Sequence, residues 1–244
     1  MNVPVWVAAL AAEFWRDVDE PAQFPRDLRS AIPRARQLSV FLIADLSLSR
    51  IQGWLRENQV AFAVNASDRR LRAGLVAWGG HGIAFIDGAD SDDEQRFSLA
   101  HELAHFLRDY WHPRCQVESR LGSAALEVID GLRPASVEER FHSLLRFAPI
   151  GYHVHLLDRN EDGDPATDDI AIAEDDADRL AYELLAPAEH VIANVANWHD
   201  RITLQDALVQ IYGLPHIQAA RYAAVLLPAA RRADPLLRQL KISR

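Results

Sequence analysis

The stretch Arg96-Phe97-Ser98-Leu99-Ala100-His101-Glu102-Leu103-Ala104-His105-Phe106-Leu107 decides how the rest of the chain is read. It contains the pattern His-Glu-x-x-His. On an α-helix, residues four apart share one face, with Cβ atoms about 5–6 Å apart. His101 and His105 can therefore each aim a ring nitrogen at one metal ion. Zinc suits two imidazoles and a carboxylate, with one coordination position open to water. Glu102, next to the first histidine, is placed to take a proton from that water. The surroundings predict a helix. Ser91-Asp92-Asp93-Glu94 has the form of a capping box, serine at N-cap and glutamate at N3. Phe97, Ala100, Ala104 and Leu107 continue an apolar stripe at helical spacing. No proline falls between residues 91 and 112, and Pro113 predicts the helix end. The competing account of the pattern is an amphipathic helix with two partly buried histidines.

A catalytic zinc needs a third protein ligand. The pattern with a third histidine six residues beyond the second would put glycine at 108 and histidine at 111, but Arg108 and Trp111 stand there. Asp109 points along the same helix and suits a supporting role. His112 is also near, and Cys115 fits a small buried apolar side chain as well as a ligand. Glu174 is the better candidate, because Asp178 lies four residues on. One acid can then bind the ion while the other orients a histidine ring. By spacing alone, the two acids fit equally well as first-turn residues of a helix opening at Glu174, favoured there by its dipole.

Two motifs carry a family resemblance. Residues Arg96 to His105, preceded by a strand over 82–87, resemble the first motif of the ImmA/IrrE metallopeptidases. Glu174-x-x-Ala177-Asp178-x-Leu180-Ala181-x-x-Leu184-Leu185-x-Pro187 is similar to that family's second motif. The glutamate-x-x-x-aspartate spacing also resembles that of gluzincins. The resemblance covers roughly residues 48–112 and 170–227. It implies an α+β, zincin-like core with a small β-sheet beside the active helix and a helical C-terminal part. It implies Zn²⁺ held by His101, His105 and Glu174, with Glu102 catalytic and Asp178 in support. It also implies a protein substrate, a helix-turn-helix repressor cut to switch on stress or mobile-element genes. Asp178 and Leu180 stand where the family usually has asparagine and phenylalanine. The 68 residues between His105 and Glu174 exceed the usual link, so residues 113–169 look like an insertion.

The composition of the whole chain reads as soluble and globular. It has 244 residues, 49% hydrophobic and 25% charged. One cysteine excludes an internal disulfide and fits a reducing compartment. No apolar run approaches a membrane span, so no membrane partner is expected. Met1 to Trp15 lacks the basic start of a secretory signal, and a cytoplasmic protein is expected. Net charge is −9, divided unevenly: +1 over residues 1–70, −13 over 71–187 and +3 over 188–244. These segments also serve as the expected organisation: an N-terminal helix and strand region, the catalytic core with its insertion, and a C-terminal helical region.

In order, a helix is expected at 4–16, a strand at 38–44, and a helix at 47–57 capped by Ser47. Further strands are expected at 60–64, 71–78 and 82–86, the last two joined at Gly79-Gly80. Helical pieces follow at 117–129 and 137–147, a strand at 152–157, an acidic turn at 158–169, and helices from 174, 204 and 215. The basic end, 231–244, is expected to fray. The last two helices resemble a helix-turn-helix, with Ala207, Ile211 and Ile217 inward and His216, Gln218 and Arg221 outward. That makes a DNA-binding regulator the second expectation, although +3 does not support strong phosphate binding. A zinc-stabilised interaction module is the third, and Glu102 counts against it. Tyr110, Tyr152, His153, His155 and Tyr182 are candidate donors to a developing oxyanion, although core packing or surface exposure is the favoured account of each.

Overall fold

A computed structural model describes residues 3–19, 23–60, 67–141, 150–158 and 168–227. Four strands form one mixed sheet: β1 (Leu38–Ile43), β2 (Leu71–Trp78), β3 (His81–Asp87) and β4 (His153–Asp158). Their order is β1-β3-β2-β4. Strand β1 runs parallel to β3, while β2 is antiparallel to both β3 and β4. The β2–β3 hairpin closes with Trp78 opposite His81. Its two turn residues, Gly79 and Gly80, both have positive φ, 55° and 84°. A two-residue loop that follows the right-handed twist of the strands needs that conformation at both positions, which is why two glycines stand there.

The central strands β2 and β3 are buried on both faces. One face, with Ala73, Leu75, Ala77, Ala84 and Ile86, joins the main core. The other, with Leu71, Val76, Ile83 and Phe85, packs on helix α3 through Ile51 and Leu55. Helices α1 (Val5–Val18), α2 (Leu28–Ala35) and α3 (Leu48–Glu57) precede the hairpin. The Ser47 hydroxyl caps α3 by accepting from Arg50 N–H, as expected. Helix α2 was not expected, since Pro33 lies within it; Leu28, Ala31 and Ile32 hold it to the core.

Helix α4 (Asp92–His105) lies against β2, β3 and the long helix α8 (Asp168–Leu185). Its N-terminus is where Ser91 put it, but the capping box does not form. The Ser91 hydroxyl bonds the Asp93 side chain, and Glu94 Oε2 accepts from Arg72 at 2.9 Å. Nor does Pro113 end the helical run. Residues Phe106–Trp111 form a π-helical stretch, in which His112 N–H reaches back to Leu107 O. Helix α5 (His112–Leu121) continues the run without a break, with Pro113 as its second residue.

Short helices α6 (Leu126–Ile129) and α7 (Val137–Phe141) lead towards β4, which lies within the segment read as an insertion. Helix α8 opens six residues before Glu174, so Glu174 sits beyond the first turn. Its acid is therefore not explained by the helix dipole, whose effect fades within that turn. Helices α9 (Ala188–Asn194), α10 (Arg201–Gln210) and α11 (His216–Leu226) complete the described chain. In the α10–α11 pair, Ala207 is inward as expected. Ile211 and Ile217 instead face out, 47% and 63% exposed, while Gln218 accepts from Tyr182. The expected strand at 60–64, the acidic turn and the basic end lie almost wholly outside the described residues.

Candidate metal centre

Helix α4 is buried nearly all round, and Gln95, Ser98, His101, Glu102 and His105 are buried with its apolar residues. Buried polar side chains require partners. The Nδ1–H of His101 donates to Asp178 Oδ1 at 2.9 Å, and that of His105 donates to Asp109 Oδ2 at 2.7 Å. Both rings thus point their Nε2 atoms the other way. These two Nε2 atoms are buried and have no hydrogen-bond partner.

Helix α8 brings Glu174 to this point. Its Oε2 lies 3.2 Å from His101 Nε2 and its Oε1 lies 3.6 Å from His105 Nε2, without hydrogen-bond alignment. Strand β4 adds His155, whose Nε2 is 3.0 Å from Glu174 Oε1 and whose Nδ1 is 2.9 Å from Glu102 Oε2. Each of His101, His105, His155 and Glu174 offers one ligand atom, and these four atoms lie within 4.8 Å of one another. The group can hold a metal ion, and the two orphaned Nε2 atoms fit that role: an ion supplies the partner that protein does not. Glu102 is fully buried. One of its oxygens is taken by His155, and Oε1 has no partner.

The charges are tightly coupled. Burial opposes a charge on His101, but Asp178 and Glu174 outweigh it and hold the ring up to about 9. Burial also opposes a charge on His155, and Glu102 and Glu174 raise it to about 10. Burial alone would lift the Glu174 carboxyl, yet its three histidine neighbours hold it far below the usual range. Asp109 is lowered in the same way, by His105 and Arg108 acting against burial. His153 goes the other way: burial lowers it to about 4.

The structure therefore brings together the predicted His101, Glu102, His105, Glu174 and Asp178, with Asp109 supporting the second ring as its spacing suited. Cys115 is half-buried and stands outside the group, as does His112. Among the candidate oxyanion donors, Tyr110 accepts from Gly80 N–H and Tyr182 donates to Gln218. His153 Nε2 is buried without a partner. The group member that sequence reasoning did not weigh as a ligand is His155. Alternation along β4 puts His153, His155 and Leu157 on one face, but not which face meets α4.

No family model, no curated protein and no solved structure matches this chain. Fold and site together define a class: an α+β protein with a buried histidine–carboxylate group able to hold a metal ion. Among the described residues no helix is long and apolar enough to cross a membrane.

Proposed function

We propose that this chain is a cytoplasmic zinc endopeptidase of the ImmA/IrrE kind, acting on a helix-turn-helix repressor. The observation that carries the reading is the pair of buried, unpartnered Nε2 atoms converging on Glu174 beside the half-satisfied carboxylate of Glu102. Two imidazoles with a carboxylate suit zinc. His101, His105 and Glu174 would hold the ion, with Asp178 and Asp109 keeping the rings in the right tautomer and orientation. Bound there, zinc would polarise the scissile carbonyl as a Lewis acid.

The chain's own residues do the proton work. Glu102 Oε1 accepts a proton from the attacking water and returns it to the departing amine nitrogen. Its complete burial keeps bulk water from competing for that proton. A DNA-binding repressor is basic, because it must neutralise phosphates. The −13 charge over residues 71–187 would attract such a protein when it is off its DNA.

The test is incubation with a basic helix-turn-helix repressor encoded beside this chain, with and without zinc, for the wild type and Glu102→Gln. We expect one zinc per chain in both proteins. Cleavage should fall roughly 10²–10⁴-fold in the variant, the worth of acid–base catalysis. Equal turnover by the two proteins would remove the mechanism.

A further inference from the structure

We propose that His155 is a positioning residue for Glu102 and not a fourth metal ligand, although its ring lies close enough to the other three groups to be one. The inference rests on the hydrolase reading above and deepens it, because a fourth protein ligand would close the position that a substrate needs.

The geometry of the rings decides. A metal lies in the plane of an imidazole that binds it, on the Nε2 lone pair and about 2.0–2.1 Å from the nitrogen. His101 and His105 are crossed at 66° with centroids 4.9 Å apart, so their planes can meet at one nearby ion. His155 instead stacks on His105, with centroids 3.7 Å apart and planes only 21° from parallel. Planes so nearly parallel meet well beyond a metal–nitrogen bond, so these two rings do not share an ion as placed.

The hydrogen bonds agree. His101 and His105 each have one nitrogen on a carboxylate and an Nε2 with no partner. His155 has neither nitrogen spare: Nδ1 lies 2.9 Å from Glu102 Oε2 and Nε2 lies 3.0 Å from Glu174 Oε1. To reach an ion, the ring would have to leave both its stack on His105 and its bond to Glu102. That would strand both Glu102 oxygens, since Oε1 already lacks a partner. In place, His155 engages Oε2 and leaves Oε1 as the single oxygen able to accept a proton. The strand that carries it is fixed by pairing, Leu75 opposite His155, with Leu75 in the core shared with α4.

The experiment compares wild type, His155→Ala, His155→Asn and His105→Ala, each loaded with zinc and, separately, with cobalt(II). His155→Ala should keep one ion per chain and the wild-type cobalt absorption spectrum, while His105→Ala loses the ion. With the repressor as substrate, kcat of His155→Ala should fall on the order of 10²-fold with KM little changed. His155→Asn should recover much of that, since its amide nitrogen can stand where Nδ1 stood. Loss of the ion, or a shifted cobalt spectrum, in His155→Ala would make His155 a ligand and overturn the proposal. Equal kcat in the alanine, asparagine and wild-type proteins would also overturn it. If the wild type cleaves nothing, the peptidase reading fails by itself. A crystal structure of the zinc-loaded protein then decides between a His155–Glu102 hydrogen bond and a refined zinc–His155 bond.

Discussion

At the scale of single residues, the site depends on carboxylates behind the rings as much as on the rings themselves. Asp178 and Asp109 each take an Nδ1–H, at 2.9 and 2.7 Å, and so direct both Nε2 atoms to one point. Asp109→Asn and Asp178→Asn should each weaken metal affinity about 10–100-fold, measured by competition with a chromophoric chelator. Unchanged affinity in both would show that packing alone holds the rings. The same charges set a pH dependence. The folded values of His101 and His155, about 9 and about 10, lie above the ordinary 6.5. Groups raised in this way contribute stability that is complete below 6.5 and is lost as pH rises through the folded values. The metal-free protein should therefore melt at progressively lower temperature as pH rises from 6.5 through about 10. Metal binds the deprotonated rings, so saturating zinc should flatten or reverse that fall. Melting curves with chelator and with zinc would show parallel slopes if the histidine–carboxylate coupling were absent.

At the scale of elements, the candidate metal centre is a meeting of α4, the π-helical stretch, α8 and β4. The π-stretch carries the helical run past Pro113 and includes Asp109, which bonds the His105 ring four residues before it in the supporting role its spacing suited. Such insertions recur at functional sites. Strand β3 approaches this run closely at Gly82. A Cβ there would lie 2.8 Å from both Leu38 Cδ1 and Phe106 Cε2. Gly82→Ala should therefore destabilise the fold by about 1–3 kcal/mol through overpacking, read as a lower urea midpoint with unchanged slope. A neutral result would mean that Phe106 yields without cost. The strands and α4 were legible because their apolar spacing and the Gly79-Gly80 turn are local signals. Helix α2 was not, because Pro33 removes a donor and its burial against α1 and the sheet supplies what propensity does not.

At the scale of the whole molecule, one apolar cluster runs from α1 and α2 through the sheet and α4 to α8 and the C-terminal helices. Polar contacts also tie the C-terminal helices to α4 and α8. Arg96 donates to Gly213 O at 2.9 Å, and Tyr222 donates to the buried Glu183 at 2.9 Å. The C-terminal helices are therefore expected to unfold with the histidine–carboxylate group. Far-ultraviolet circular dichroism and tryptophan fluorescence should give coincident transitions, because Trp15, Trp111 and Trp198 all pack on this cluster. Two separated transitions would show that residues 188–227 fold on their own.

The sequence by itself determined what short spacing encodes: the helix carrying His101, Glu102 and His105, the β2–β3 hairpin, and a strand at β4. It also offered Glu174 and Asp178 as a pair four residues apart, but left open whether they face a metal or cap a helix. Tertiary structure took them out of the first turn and set them against His101, by starting α8 at Asp168 and packing it on α4. It alone brought His155 onto Glu102, 53 residues away in the chain. Periodicity shows which side chains share a face. Which faces then meet depends on the burial of the whole core, and no local pattern contains that.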